Sequence, residues 1–343
     1  MLFKNLILTF VRIIISTTNK LNMSKFFRLI LLCVVLIATT SCMEENFSLF
    51  RRQYDVKLTA DLNGSQSRAI ADGKSVNEVA WAVYAAGTET PLENLWGVMP
   101  INNQQCELEI RLATGKSYDI AFFAYYTDTP VTKNIVGGQI NPRYYNVLFD
   151  QKKVTVKYDE QLTIANDENR DCFWYVERNL KVKGKVDKTF TLSRPLAQLN
   201  LGITEEDFQH TLKAQLNIAQ TEITTESYTE FNLFDGTLSE PAPTVITFNR
   251  SETPLYGDNL LQVKGYDEPF RYLATTYVLV NEKRTNNVSV ALWDIDGVQL
   301  HELNYSFVPL QRNYRTNIIG NLLTSPNHFK IVIEEEFDGD HIE

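Results

Sequence analysis

The 343-residue sequence has no apolar run long enough to cross a bilayer, no cysteine framework, no excess of positive charge and none of the compact motifs of the common enzyme classes. Each absence closes off a class of protein. The apolar run Leu29 to Ala38 has ten residues, whereas a spanning helix needs about 20. Of four cysteines, only Cys106 and Cys172 lie beyond residue 42. Two thiols allow one bridge in an oxidising compartment, with a buried free thiol as the alternative. Five of the 33 basic residues and none of the 42 acidic ones precede Cys42, so the chain from there on carries 28 against 42, a net charge of −14. That balance argues against nucleic acid and against charge-driven binding to an anionic membrane.

A Gly-x-Ser-x-Gly elbow, His-Glu-x-x-His, a phosphate-cradling glycine-rich loop and paired Cys-x-x-Cys are all missing, so no catalytic residue, cofactor or metal is assigned and no enzyme activity is expected. The four histidines, His210, His301, His328 and His341, share no metal-like spacing. Asp167, Asn169 and Asp171 imitate the start of a calcium loop, but Cys172 stands where a glycine is needed and no glutamate closes the motif. The segment therefore reads as a solvated acidic loop. Carboxylates are abundant enough for an acid/base pair, but sequence cannot bring two of them together. Sixteen Tyr and four Trp offer stacking surfaces for sugars, although in a β protein aromatics mainly fill cores and cross-strand pairs.

What the sequence does contain begins with an export signal. Lys25 and Arg28 precede the apolar run, and Thr39-Thr40-Ser41 lead into Cys42. This resembles a bacterial lipobox, in which the cysteine is acylated and becomes the mature N-terminus. An ordinary secretory signal cut near Ser41 is the alternative. Residues 1–22 hold a weaker apolar stretch broken by Lys4, Asn5 and Arg12, so translation is expected to start at Met23, and residues 1–41 are set aside as signal peptide. Met43-Glu44-Glu45 resemble the surface-export signal of some anaerobic Gram-negative lipoproteins.

Beyond the signal the pattern is β. Val56, Leu58, Ala60 and Leu62 alternate with polar residues, predicting a strand with one buried face that Asn63-Gly64-Ser65 ends. Val79 to Ala86 is apolar on both faces and predicts a central strand. Further strands are expected around 106–112, 118–126, 154–158, 173–186 and 189–192, and after a break at Arg194-Pro195 at 196–201, 244–248, 273–280, 288–293, 299–307, 316–319 and 329–334. Asp296-Gly297 marks a hairpin turn. Thr204 to Asp207 is a possible cap, but the alternation of Leu212, Ala214, Leu216 and Ile218 favours a strand there as well. Many short strands with turn residues between them indicate an all-β protein of antiparallel sandwiches. The expected division is signal peptide 1–41, lipidated segment 42–68, and β-sandwiches at 69–190 and 191–343.

The segments Tyr272-Leu-Ala-Thr-Thr-Tyr-Val-Leu-Val280, Val308-Pro-Leu-Gln-Arg-Asn-Tyr-Arg-Thr-Asn-Ile-Ile-Gly-Asn-Leu-Leu-Thr324, Asn166 to Asp171 and Arg194 to Asn200 resemble those of the fimbrillin-like lipoproteins, the Bacteroidales-type fimbrial subunits of anaerobic gut and oral bacteria. The resemblance covers about Asp55 to Asp340. It implies two tandem transthyretin-like, Greek-key sandwich domains and a lipidated precursor at the outer membrane and cell surface. It further implies subunits that join by strand exchange after an Arg-specific protease removes the N-terminal segment. The site residues expected are Cys42 for lipidation, Arg68 for processing, with Arg51-Arg52 as rival, and Phe329, Ile331 and Ile333 on a donor strand. The expected partners are other fimbrial subunits and, through the lipid, the outer membrane. A surface glycan-binding lipoprotein is the alternative function, and a secreted hydrolase the third.

Overall fold

A computed structural model describes residues 52–62, 73–129, 139–215, 218–253, 260–335 and 341–342. The strands of the first half are β1 (Gln53–Asp61), β2 (Glu78–Ala85), β3 (Trp96–Pro100), β4 (Gln105–Ala113), β5 (Ser117–Tyr125), β6 (Gln139–Ile140), β7 (Tyr145–Leu148), β8 (Lys153–Val156), β9 (Phe173–Lys181) and β10 (Val186–Thr191). Those of the second half are β11 (Leu196–Thr204), β12 (Ile218–Ser227), β13 (Glu230–Asn232), β14 (Thr244–Glu252), β15 (Leu261–Val263), β16 (Tyr266–Leu279), β17 (Arg284–Asp294), β18 (Gln299–Leu310), β19 (Tyr314–Gly320), β20 (Phe329–Glu335) and β21 (His341–Ile342). Helix α1 (Glu205–Lys213) separates β11 from β12. The protein is all-β, as its alternating pattern predicts.

The sheets stack because several strands are apolar on both faces. In β5, Ile120, Phe122 and Ala124 face a core shared with the sheet β10-β1-β4, while Ala121, Phe123 and Tyr125 face a second core on the other side. Period-two geometry makes that division automatic: adjacent side chains on one strand point into different layers. β11 is likewise buried on both faces, with Ala197, Leu199, Leu201 and Ile203 packed against the sheet β14-β12-β17-β18, while its other face carries Leu196, turned toward the second core, and the buried polar Gln198 and Asn200. This second core draws on both halves of the chain, including Tyr84, Phe123 and Tyr145 from the first and Phe231, Tyr272 and Leu279 from the second. The expected hairpin turn at Asp296-Gly297 is present, with Asp294 N–H donating to Val298 O at 2.9 Å and Gly297 at φ 79°.

Two features depart from expectation. The sheets are not purely antiparallel: β1 runs parallel to β10, from Val56 opposite Val186 to Asp61 opposite Thr191, and β11 runs parallel to β19. Alternation reports which faces of a strand are buried, not which distant strand lies beside it. The expected strand through 208–219 is instead α1, followed by β12 from Ile218. Thr204 caps the helix, its hydroxyl accepting from Asp207 N–H at 3.1 Å, and Glu205, Glu206 and Asp207 place negative charge in the first turn. Asp207 is buried and accepts from Leu323 N–H at 2.8 Å and Thr324 N–H at 2.9 Å. Leu212, one of the residues that suggested alternation, is 52% exposed.

Candidate functional site

β1 is the middle strand of the sheet β10-β1-β4, so it closes the outer layer of the first core. Val56, Leu58, Ala60 and Leu62 are all buried, the most accessible only 1% exposed. Burying three large aliphatic side chains and a methyl contributes on the order of 5–10 kcal/mol, comparable to the whole net stability of a domain. On the outer face Lys57 meets Glu107 of β4 at 2.6 Å. Past β1, Leu62 N–H donates to Gln104 O at 2.9 Å, and the body of the fold resumes at Gly73. Gly73 has φ 68°, and a Cβ there would lie 2.9 Å from the Phe173 ring, so glycine is required. Ser75 then bonds Glu168 O at 2.9 Å and Val76 enters the same core as β1. The ten residues 63–72 between these anchors hold Arg68, which lies outside the described residues, as does Cys42. Of the rival pair, Arg52 is exposed just before β1.

The three proposed donor residues lie together on β20, the edge strand of the order β20-β19-β11-β16-β15-β21. Phe329 and Ile333 are 38% and 40% exposed, and Ile331 is half-buried against the core of the second half. Phe329 makes an edge contact with Tyr305 at 4.8 Å between ring centroids. The opposite face of β20 carries what the alternation did not single out. Glu334 is buried and accepts from Asn317 Nδ2 at 2.8 Å and from Arg315 Nη1 at 3.4 Å. Arg315 is fully buried; its Nε donates to Gln198 Oε1 at 3.1 Å and its Nη1 also reaches Tyr272 O–H at 3.3 Å. The row continues through Asn200, which bonds Asn317 at 2.9 Å and accepts from Thr275 at 2.6 Å. A buried polar ladder therefore crosses four strands and ends at β20.

The segment 166–171 is not a solvated loop, contrary to expectation. Asn166 exchanges bonds with the Thr275 backbone at 2.9 and 2.8 Å, Asp167 accepts from Tyr144 O–H, and Glu168 accepts from Tyr277 O–H at 2.9 Å. Arg170 donates to the carbonyls of Lys157 and Leu162, and buried Asp171 binds Arg194 through three contacts of 2.9–3.1 Å. Polar residues in sequence look solvated until tertiary partners are known; here they join the two halves. Cys106 and Cys172 are free and lie in different cores. Burial pushes the Cys106 thiol up to about 12 and the Cys172 thiol higher still, which keeps both protonated and unreactive.

Among the described residues no three His, Cys, Asp or Glu side chains converge as a metal site. An open cleft of about 380 Å³ is lined by Tyr228, Asp235, Glu240, Glu282 and Arg312. Its polar groups serve the fold: Glu240 accepts from Thr229 N–H at 3.0 Å, and Arg312 donates to Gly236 O at 2.7 Å. No helix among the described residues is long and apolar enough to cross a membrane.

The fold is similar to several solved structures. A candidate polysaccharide-binding protein from Bacteroides thetaiotaomicron is 17% identical over 85% of this chain and 98% of its own, with a TM-score of 0.45. The tip fimbrial protein Mfa3 from Porphyromonas gingivalis, with a C-terminal truncation, is 12% identical over 83% of this chain and 100% of its own, with a TM-score of 0.45. A fimbrial assembly protein from Parabacteroides distasonis is 11% identical over 85% of this chain and 100% of its own, with a TM-score of 0.40. No curated protein matches. A family model matches residues 50–343, most of the sequence, and the chain belongs to that Family of unknown function (DUF6562).

Proposed function

We propose that the protein is a cell-surface lipoprotein, acylated at Cys42, that serves as a structural or adhesive fimbrial subunit and is assembled by strand exchange. The observation that carries this reading is the place of β1. It is a central strand at the N-terminal end of the body, wedged between β10 and β4, and a single cut in residues 63–72 would separate it and the lipid-bearing segment from everything that follows. Arg68 is the processing residue in this reading. Loss of β1 would open both neighbouring strand edges and uncover the core under Val56, Leu58, Ala60 and Leu62. A strand from another copy would restore the hydrogen bonds and the burial together.

The donor is β20. Its Phe329, Ile331 and Ile333 have the two-residue period of the buried row of β1, and among the described residues it is an edge strand bonded on one side only. In this reading residues 42–68 are the removable segment, and 69–190 and 191–343 form two transthyretin-like sandwiches. N-terminal sequencing of shed polymer tests it. A start at Ala69 supports the proposal, a start at Arg52 or Gln53 moves the cut before β1, and acylated Cys42 within the fibre makes the subunit an anchor. Deleting residues 329–343 should abolish polymers, and polymers of normal length would reject β20 as donor.

A further inference from the structure

Net charge is a sum over the whole surface, whereas docking depends on what one region presents. At one end of the first half, three connections meet. β1 begins there, since its parallel register puts Asp55 beside Lys185, and the two line one cleft with Arg111. The turn between β4 and β5 lies there, with Gly115 N–H bonded to Val182 O at 3.2 Å. The connection from β9 to β10 completes the end, with Ser117 opposite Lys181 in register. This brings Lys116, Lys181, Lys183 and Lys185 together, all exposed and none with an ion-pair or hydrogen-bond partner for its side chain among the described residues. From Arg178 to Val186 the chain carries four basic residues and no acidic one.

The acids nearby cancel them only in part. Asp55 pairs with Arg111 at 3.5 Å, Glu89 with Lys152 at 3.1 Å, and Asp119 accepts from Asn179 N–H at 2.8 Å beside Arg178 at 4.0 Å. Glu109 lines the same cleft as Asp55, Arg111 and Lys185 and also acts on Lys57, as does Asp187 of β10, so these two acids offset Lys57 and Lys185 but not Lys116, Lys181 and Lys183. Glu93, between β2 and β3, makes no ion pair among the described residues.

The same end is where the chain arrives from Cys42. Only ten residues lie between Cys42 and Gln53 at the start of β1, a reach of at most about 40 Å fully extended. A tether of that length lets the four lysines reach the membrane surface that an acyl group at Cys42 would occupy. We infer that this lysine end is a docking surface for an anionic membrane, pairing with phosphate-bearing lipid headgroups beside the lipid anchor. The inference rests on the reading of Cys42 as the acylated residue. It supplies the second signal that makes a lipid anchor firm and oriented, because acyl chains alone leave the body free to tumble on its tether.

The test uses the full chain with Cys42→Ser, so that any binding comes from the protein surface. Vesicles of phosphatidylcholine with phosphatidylglycerol should sediment it, and vesicles of phosphatidylcholine alone should not. Each lysine within a Debye length of the surface contributes about fivefold to partitioning. The fourfold variant Lys116→Gln, Lys181→Gln, Lys183→Gln, Lys185→Gln should therefore bind roughly 600-fold more weakly, with no loss of folding because all four side chains are exposed. A control variant changing Lys213, Lys264, Lys283 and Lys330 to glutamine should bind as the parent does. Equal loss in both variants, a loss of less than about threefold in the first, or binding to a sulfated polysaccharide without binding to anionic vesicles would each overturn the inference. Palmitate labelling of the unsubstituted chain tests Cys42 separately, so failure of the anchor and failure of the surface are distinguishable.

Discussion

Replacing Glu334 with leucine removes the carboxylate that faces Arg315, and the cost follows from what is left behind. Arg315 is fully buried and its guanidinium stays protonated at any accessible pH. Asn317 Nδ2, which donates to Glu334 at 2.8 Å, loses that acceptor. Breaking one partner of a buried pair costs about 3–5 kcal/mol, and an orphaned buried donor about 1–3 kcal/mol, with overlap between the two. Glu334→Leu should therefore destabilise the chain by about 4 kcal/mol. Glu334→Gln keeps an acceptor for Asn317 and should cost less. The double variant Arg315→Met, Glu334→Leu removes the charge as well as its partner and should recover much of the loss, since an apolar pair can match a buried ion pair. Urea unfolding of these three variants and of Arg315→Met alone gives the magnitudes, and hydrogen exchange of residues 329–335 shows whether β20 is the element that loosens. The reasoning fails if Glu334→Leu costs less than about 1 kcal/mol, or if the double variant is as unstable as the sum of its two singles.

Gly320 lies opposite Phe329, and a Cβ there would sit 2.2 Å from His328 O and 2.6 Å from Phe329 Cα. Gly320→Ala should push β20 off β19 at a cost of about 2 kcal/mol or more, read by thermal unfolding. Cys106 and Cys172 should react with a thiol reagent only after unfolding; fast labelling of either in the native protein would contradict their burial. Glu205 is held below the usual carboxylate range by its hydrogen bond from Arg271. Its support for α1 should be fully present above the unfolded carboxylate value and fade as pH falls through the lowered folded one. Glu205→Gln should flatten that part of the acid-unfolding profile, and an unchanged profile would exclude the pair as a contributor.

Strand existence was readable from residues such as Val56, Leu58 and Ala60, because a half-buried strand must alternate. It was readable too in β2 and β5, where the absence of alternation meant two cores rather than one. The helix α1 was missed although its cap was visible: Thr204, Glu205, Glu206 and Asp207 are a better signal than the alternation of four small and apolar residues that outweighed them. Glu334 was missed because one acid in Glu334-Glu335-Glu336 looks like any other until Arg315 lies across from it. The lysine end was hidden by the net charge of the chain.

The sequence by itself determined the class of fold and the spacing of the buried rows, since these depend on the order of apolar and polar residues along one strand or one short segment. Tertiary structure alone decided that β1 lies between β10 and β4, that residues 166–171 join the two halves, and that Arg315 is paired. Those facts are set by contacts between residues a hundred or more positions apart, such as Glu168 with Tyr277 or Gln198 with Arg315. No local pattern encodes them, because the free energy of such a contact depends on what the rest of the fold has already placed beside it.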